Sequence, residues 1–364
     1  MKLKEITDCL ESIAPLSYQE AYDNAGLICG SYDMDITAAL ICLDSTEAVI
    51  EEAITQGCNL IIAHHPIVFS GLKKINGKNY VERVIIKAIK NNIAIYACHT
   101  NLDNMQNGVN EAIAKKLGLI DCCVLAPQKN TLKKLVTFCP EKNADVLRNA
   151  LFEAGAGKIS NYDECSFNTS GIGSFRAGEG TKPFIGEQGK RHMENEVRIE
   201  TIYPQHLESK LLNALFRAHP YEEVAYDLIP ITNINKGIGA GLIGNLPSET
   251  PEMDFLLHLK KTMKADSVRY TALLNKKIKK VAVCGGSGSF LLADAIKAGA
   301  EVFVTADFKY HQFFDAENAL VIADIGHYES EQYTVDLIYS ILKKKFSTFV
   351  LQISNINTNP IKYL

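Results

Sequence analysis

Apolar runs alternate with amphipathic segments along the first third of the chain. Residues 38–43 and 60–63 are short, continuous apolar runs, which are typical of strands buried on both faces of a parallel sheet. Helical periodicity occupies the segments between such runs, and Gly57 follows one of these segments as a helix C-cap residue. The same alternation returns from about residue 280 onward. This order predicts an α/β fold in which crossover helices join parallel strands.

The two ends of the chain have similar sequences. Residues 52–65 align with residues 294–307 so that an alanine, an isoleucine and a glycine coincide, and His65 falls on Asp307. Helix–glycine–strand units are common in α/β proteins, so the similarity is moderate evidence of relatedness. It predicts two similar βα lobes that form one core and whose strand ends face a shared cleft.

The middle of the chain has a different order of elements. Between residues 126 and 235 the pattern follows βαββαβ, the order of a ferredoxin-like α+β fold, and its two halves resemble each other at residues 147–154 and 212–218. We therefore predict an inserted ferredoxin-like domain at 126–235, which splits the core into lobe one, 1–125, and lobe two, 236–364. No histidine of the insert has metal-ligand spacing. An interaction or regulatory role for it is as well supported as a substrate-facing role.

Composition and charge restrict the class of protein. The chain has 364 residues, of which 47% are hydrophobic and 22% charged, and a net charge of -4. This charge argues against a general nucleic-acid surface, and only short basic runs such as 276–280 favour one. Ten cysteines without a CxxC pair are typical of reduced thiols. We see no signal peptide and no apolar run of about 18 residues, and therefore expect a cytoplasmic protein that does not contact membranes.

Two adjacent histidines follow the apolar run 60–63. His64 and His65 follow it directly, and Pro66 stops the predicted strand because proline has no N–H to donate to a sheet. Open α/β sheets place their sites at the carboxyl ends of strands, and neutral imidazole is the commonest metal ligand. For an isolated pair of this kind, one structural and one exposed histidine would still be the favoured interpretation. Metal binding by this pair therefore requires further candidate ligands elsewhere in the chain.

Other predicted strand ends carry further candidate ligands. Asp103 lies just past one strand, although an aspartate there is more often a turn or helix-cap residue. His327 and Glu331 follow another strand with the spacing of a helical metal-binding pair, whereas Glu329 would point roughly 200° away from His327. Asp307 is a further candidate, as a fourth source of ligands or as a supporting residue.

Together these segments predict a dinuclear metal site. Its predicted ligands are His64, His65, Asp103, His327 and Glu331. Five side chains suffice for two divalent cations only if one carboxylate bridges them, and Glu331 is the natural bridge. Nitrogen and oxygen ligands without cysteine suit zinc, iron or manganese, among which the sequence does not distinguish. Two such ions about 3.5 Å apart act as a Lewis-acid clamp.

Six short segments carry a family resemblance. They are residues 22–27, 63–66, 100–103, 285–288, 305–307 and 326–331. With these motifs the chain resembles the GTP cyclohydrolase I type 2 homologues, also called the NIF-three-like family. The resemblance implies that the same five residues bind two metals with Glu331 as the bridge. It also implies a toroidal homohexamer, a trimer of dimers with interior sites, and a PII/CutA-like middle domain.

We expect one of two functions. The first is a metal-dependent hydrolase that acts on a nucleotide or a phosphorylated small molecule; the family name implies hydrolytic opening of the GTP purine ring. In that case backbone amides in the turn 285–289 are candidate phosphate ligands, unless the turn only needs glycine for its tightness. Asp44, His99 and Asp307 are candidates for proton transfer, and the sequence does not rank them.

The alternative function is not enzymatic. In this hypothesis the protein is a metal-carrying scaffold or regulator that senses a ligand or partner through its inserted domain. Nucleic-acid binding inside a ring is a third hypothesis, which the acidic balance of charges disfavours.

Overall fold

The computed structural model describes residues 1–364, which divide into two units. The first unit consists of Met1–Pro127 and Lys236–Leu364, and the second consists of Gln128–Asn235. None of the helices has the length and apolar character needed to span a membrane.

The elements alternate between helix and strand through most of the chain. The first segment contains α1 (Leu3–Ile13), β1 (Gly26–Cys29), β2 (Ala38–Cys42), α2 (Glu47–Thr55), β3 (Leu60–Ala63), α3 (Tyr80–Lys90), β4 (Ala94–Ala97), α4 (Thr100–Asp103), α5 (Val109–Leu117) and β5 (Ile120–Pro127). The second unit contains β6 (Leu132–Pro140), α6 (Ala144–Glu153), β7 (Phe167–Arg176), β8 (Arg191–Pro204), α7 (Glu208–Ala218) and β9 (Tyr226–Pro230). The last segment contains β10 (Gly239–Pro251), α8 (Glu252–Thr262), β11 (Arg269–Tyr270), β12 (Lys277–Ser287), α9 (Leu292–Lys297), β13 (Val302–Ala306), β14 (Val321–Asp324), α10 (His327–Glu331), α11 (Thr334–Lys345) and β15 (Val350–Ile353).

Two mixed sheets form the first unit. One has the strand order β1-β4-β3-β2-β15, in which β15, β2, β3 and β4 are parallel and β1 is antiparallel. The other has the order β11-β14-β13-β12-β10-β5, in which β12, β13 and β14 are parallel. The prediction of a mixed α/β fold is confirmed. Each sheet also takes a strand from the opposite end of the chain, because β15 pairs with β2 and β5 pairs with β10.

One apolar core joins these two sheets. It includes Ile62 of β3, Tyr96 of β4, Val283 of β12 and Val304 of β13, all of which are almost completely buried. Full burial of one aliphatic side chain of this kind contributes roughly 2 kcal/mol to folding. The core therefore holds the strands of both sheets in a defined arrangement, and with them the loops at their ends.

The carboxyl ends of the parallel strands carry the polar residues predicted to form a site. In the first sheet, Asp44 follows β2, the two histidines follow β3, and α4 follows β4. In the second sheet, Asp307 follows β13 and α10 follows β14. Within each sheet the neighbouring parallel strands end at the same edge, so the residues of that sheet lie close together although they are distant in sequence.

The second unit is a four-stranded antiparallel sheet with two helices. Its strand order is β7-β8-β6-β9, and its elements follow one another as βαββαβ. Its own core includes Leu135 of β6, Leu147 of α6, Ile199 of β8 and Leu215 of α7. Since α6 and α7 both contribute to this core, one face of the sheet is covered by helices.

Candidate metal centre

His64 and His65 continue the line of β3 beyond its last residue. Their backbone N–H groups donate to the carbonyls of Cys42 (3.2 Å) and Leu43 (3.0 Å). Their imidazole rings lie 4.8 Å apart, centre to centre, at an angle of 49°. The two rings therefore point toward different partners, as two ligands of two neighbouring ions would have to do.

A short helix brings the next two candidate ligands together. His327 begins α10 and Glu331 ends it, so the two side chains share one face of the helix. The distance from His327 Nε2 to Glu331 Oε2 is 3.1 Å. Asp103 ends α4 on the opposite side of the cluster, with its Oδ1 atom 3.6 Å from His64 Nε2.

The structure brings all five predicted ligands together in two overlapping groups. One group is His64, Asp103 and Glu331, and the other is His65, His327 and Glu331; within each, the potential ligand atoms lie within 4.8 Å of one another. Glu331 belongs to both groups. Its Oε1 atom lies 3.7 Å from His64 Nε2, while its Oε2 atom lies 2.9 Å from His65 Nε2.

Two buried atoms of the first group have no hydrogen-bond partner. They are His64 Nε2 and Asp103 Oδ1. A buried polar atom left without a partner costs about 1–3 kcal/mol, so such an atom requires an explanation, such as a bound ion. A divalent cation between them would satisfy both at once. Nitrogen and oxygen donors without thiolate match the preferences of zinc, iron and manganese.

The three candidate ligand histidines, His64, His65 and His327, are all oriented in the same way. Each donates its Nδ1–H to an oxygen atom of the protein, which leaves Nε2 directed into the cluster. The acceptors are the Cys98 carbonyl for His64 (2.7 Å), Asp44 for His65 (2.8 Å) and Asp307 for His327 (2.7 Å). Such partners select the tautomer that a metal requires. Asp44 and Asp307 therefore act as supports of the histidines.

Charge in the cluster is unevenly distributed among the imidazoles. Burial lowers the pKa of His64. Burial opposes protonation of His65 as well, but hydrogen bonds with Asp44 and Glu331 raise its pKa to about 9. In the same way, contacts with Asp307 and Glu331 raise the pKa of His327 to about 11 against the effect of burial. Cations must displace these protons, so metal uptake is expected to release protons and to weaken at low pH.

The two carboxylates have opposite preferences. Burial raises the pKa of Asp103 well above its usual range, and the negative charge of Glu331 adds to this effect. Burial also opposes ionisation of Glu331, but the neighbouring His64 and His327 imidazoles hold its pKa well below the usual range. Glu331 is therefore the ionised carboxylate of the cluster, and it would bind a cation together with the imidazoles once these lose their Nε2 protons.

A fourth histidine, His99, forms a third group of potential ligands with His64 and His65, whose ligand atoms also lie within 4.8 Å of one another. The ring of His99 is 5.4 Å from the rings of both His64 and His65, centre to centre. Its Nδ1–H donates to Asp23 Oδ1 (2.7 Å), and Asp23 Oδ2 accepts from the N–H (3.0 Å) and the hydroxyl (2.5 Å) of Thr100. Although burial opposes it, these bonds lower the pKa of Asp23 to about 2. The sequence did not predict that Asp23 holds His99. The only indication of a function for Asp23 was its position in the 22–27 motif.

The glycines at the carboxyl end of β12 lie against Glu331. The N–H of Gly285 donates to Asn110 Oδ1 (2.9 Å), and the N–H of Gly286 donates to Ser330 Oγ (2.9 Å). These amides are therefore already used. Gly286 has φ +60°, and a Cβ atom there would lie 2.4 Å from Glu331 Oε1. At Gly286 the structure therefore supports the interpretation that this segment requires glycine for its tightness.

A cavity of about 400 Å³ opens in front of the cluster. His65, Asp103, His327 and Glu331 form part of its lining, and so does His99. Aromatic side chains line it as well, namely Tyr22, Phe69 and Phe290. No lysine or arginine is among the lining residues. The cavity thus gives a small molecule access to the candidate ligands.

The fold and the site define an α/β protein with a candidate metal centre at converging strand ends. A match to the family Duf34/NIF3 (NGG1p interacting factor 3) covers residues 1–360, and the chain belongs to this family. The resemblance inferred from the sequence motifs is confirmed.

Relatives match the chain over its whole length. A protein of Halalkalibacterium halodurans named GTP cyclohydrolase 1 type 2 homolog is 41% identical over 99% of this chain and 98% of its own length. A Bacillus subtilis protein with the same name is 39% identical over the same shares of the two chains. The crystal structure of a Bacillus cereus protein related to NIF3 superposes with a TM-score of 0.87 at 39% identity, covering 100% of this chain and 99% of that one.

Proposed function

We propose that the chain binds two divalent metal ions per subunit, each zinc, iron or manganese. His64 and Asp103 would hold one ion, His65 and His327 the other, and Glu331 both. The observation that carries this proposal is the position of Glu331, whose two oxygens face different histidines at 3.7 and 2.9 Å. The unpartnered His64 Nε2 and Asp103 Oδ1 support it independently.

We further propose that the protein is a metal-dependent hydrolase that acts on a nucleotide or a phosphorylated small molecule. Relatives named GTP cyclohydrolase 1 type 2 homolog and the cavity beside the cluster support this function. Two bound cations supply Lewis-acid polarisation of the bond to be cleaved. Since no lysine or arginine lines the cavity, the chain itself brings no permanent cation to a substrate phosphate.

Among the three proton-transfer candidates, His99 has the most suitable position. Its ring lines the cavity, and Asp23 holds its Nδ1–H in place at 2.7 Å, so that Nε2 is the atom available to a substrate. Asp44 and Asp307 each accept a hydrogen bond from a ligand histidine instead. We therefore assign them to orientation and His99 to proton transfer.

GTP turnover by the metal-loaded protein tests the hydrolase proposal. We expect Glu331→Gln to lower turnover by on the order of 100-fold or more, because the shared ligand of both ions is lost. Glu249→Gln is the matched control, since Glu249 is exposed and pairs only with Lys277 at the surface. Hydrolysis products are quantified by chromatography. Equal turnover by wild type and Glu331→Gln would overturn the proposal.

The alternative is a metal-carrying scaffold or regulator that senses a ligand or partner through residues 126–235. We propose that this insert is a ferredoxin-like, PII/CutA-like domain, which its βαββαβ order and its antiparallel strand order β7-β8-β6-β9 support. One observation favours a role separate from chemistry: none of the three groups of potential metal ligands includes a residue of the second unit.

We also propose that the chain assembles as a homohexamer, a trimer of dimers. Membership of the family and the sequence resemblance support this assembly. Light scattering coupled to gel filtration should give six times the protomer mass of 40.2 kDa. A monomer mass at micromolar concentration would contradict it.

A further inference from the structure

The segment that follows β15 is attached at two places, first to α2 and then beside the candidate metal ligands. Ser354 continues the pairing with β2, because its N–H donates to the carbonyl of Ile41 (2.8 Å). The Ser354 hydroxyl then donates to Glu52 Oε2 (2.5 Å), and the N–H of Asn355 donates to Glu52 Oε1 (2.9 Å). Since Glu52 lies on α2, the beginning of this segment is attached away from the candidate ligands.

Four residues later the same segment reaches a support of His65. The Thr358 hydroxyl donates to Asp44 Oδ2 at 2.5 Å. The other oxygen of this carboxylate, Oδ1, accepts the Nδ1–H of His65 at 2.8 Å. Thr358 therefore satisfies the oxygen that His65 does not use and limits rotation of the Asp44 carboxylate. That rotation would otherwise change the direction of the His65 ring.

The next residue contacts the helix that carries the other two ligands of the second ion. Asn359 Nδ2 donates to Glu329 Oε1 at 2.9 Å. Glu329 is only 5% exposed and lies on α10 between His327 and Glu331. Consecutive residues thus hold a support of His65 on one side and the helix of His327 on the other.

We propose that Thr358 and Asn359 form a positioning clamp for the group of His65, His327 and Glu331. Thr358 donates to Asp44 and Asn359 donates to Glu329, neither of which belongs to this group, so each acts through the residue that it contacts. The clamp sets the separation and orientation of the two histidines, and thereby the affinity of the ion that they share. This inference rests on the proposed metal binding, but it concerns residues that no motif of the sequence analysis included.

Thr358→Val tests the clamp, because valine keeps the shape of threonine and removes the hydroxyl. We expect one of the two equivalents of Zn²⁺, the ion held by His65, His327 and Glu331, to lose about 10- to 100-fold in affinity, the usual effect of removing a hydrogen-bond partner outside the ligand set. Affinity is measured by competition with a chromophoric chelator on the purified full-length chain. Thr358→Ser should restore the affinity of the wild type because it restores the hydroxyl.

Ser354→Ala is the matched control, since it loosens the same segment at Glu52 and leaves the Asp44 contact intact. Its affinity for Zn²⁺ should equal that of the wild type. In an Asp44→Asn background, Thr358→Val should cause little further loss, because its effect passes through that carboxylate. The visible spectrum of the cobalt-loaded protein should change in Thr358→Val and not in Ser354→Ala.

The outcomes separate the clamp from the metal site itself. A wild type that binds no Zn²⁺ overturns the proposed function and the clamp together. A wild type that binds two ions, with Thr358→Val unchanged in affinity and in cobalt spectrum, overturns the clamp alone. An equal loss in Thr358→Val and Ser354→Ala would also overturn it, since the segment would then serve only general stability.

Discussion

At the scale of single residues, the partner of each imidazole decides its role. His64, His65 and His327 all donate Nδ1–H to a fixed oxygen and turn Nε2 toward the cluster. Their pKa values differ, because burial lowers the pKa of His64 while neighbouring carboxylates raise the pKa values of His65 and His327 against the effect of burial. The same residue type therefore behaves differently at three neighbouring positions.

Gly286 is the residue whose substitution should test the bridge most directly. In Gly286→Ala the new Cβ would lie 2.4 Å from Glu331 Oε1, so Glu331 has to move. We expect metal affinity to fall about tenfold or more. Elemental analysis after dialysis measures the metal retained, and urea unfolding measures stability.

Gly57→Ala separates this effect from backbone strain. Gly57 has φ +68°, close to the +60° of Gly286, but a Cβ there meets nothing within 4 Å. Alanine at such a φ costs roughly 1–2 kcal/mol of unfolding free energy. We expect that cost in both variants, with metal loss in Gly286→Ala alone. Full metal content in Gly286→Ala would refute the close approach as the reason for this glycine.

At the scale of elements, short helices and strand ends carry the chemistry. α10 spans only five residues, yet it supplies two candidate ligands because His327 and Glu331 lie one turn apart. β3 places two adjacent histidines at the edge where β2 and β4 also end. In the second unit, by contrast, the end of α7 carries a histidine whose contacts are purely structural.

His219, which follows α7, should make folding of the second unit sensitive to pH. Its Nε2–H donates to the Phe138 carbonyl (2.8 Å), and its Nδ1 accepts the N–H of Tyr221 (3.1 Å). Burial lowers its pKa below the ordinary 6.5. The unfolded chain therefore binds more protons below that pH, and the free energy of unfolding should fall as the pH drops below about 6.5.

Urea unfolding of the second unit between pH 5 and 8 measures this effect. His219→Asn should reduce the slope of unfolding free energy against pH, although not to zero, because burial also lowers the pKa of His206. His258→Asn, at an exposed position of α8, is the control and should keep the slope of the wild type. An unchanged slope in His219→Asn would show that this histidine does not titrate as expected.

At the scale of the whole molecule, all five candidate ligands belong to one unit that is built from two distant segments. His64, His65 and Asp103 come from Met1–Pro127, and His327 and Glu331 come from Lys236–Leu364. The second unit interrupts these segments in sequence. The two ends that it separates are neighbours, because Pro127 pairs with Gly239 between β5 and β10.

Removal of residues 128–235 should therefore leave the metal site intact. A Gly–Ser linker of about four residues is long enough to join Pro127 to Lys236, given that Pro127 pairs with Gly239. We expect the shortened chain to retain both metals, as measured by elemental analysis. Glu331→Gln in the same background should lose them.

The deletion also discriminates between the two proposed functions. If the protein is a regulator, the shortened chain should lose its response to a ligand or partner and keep its metals. If it is a hydrolase, turnover should persist. A folded deletion variant without metal would contradict the assignment of the site to the first unit.

Local patterns in the sequence determined much of this protein. Continuous apolar runs identified β2 and β3, since strands buried on both faces need apolar residues throughout, and their burial is complete. The spacing of His327 and Glu331 predicted their common helix face from geometry alone. Parallel strands share an edge, so residues at several strand ends were expected to meet, and the structure brings all five together.

The tertiary structure decided the rest, because the contacts involved join residues far apart in the chain. His65 and Glu331 are separated by 266 positions, and Thr358 and Asp44 by 314. Periodicity does not encode which oxygen of Glu331 faces which histidine, or that Asp23, Asp44 and Asp307 each hold an imidazole. It likewise does not encode the exchange of β5 and β15 between the sheets. These features follow from the packing of one shared core, which fixes distances that local sequence leaves open.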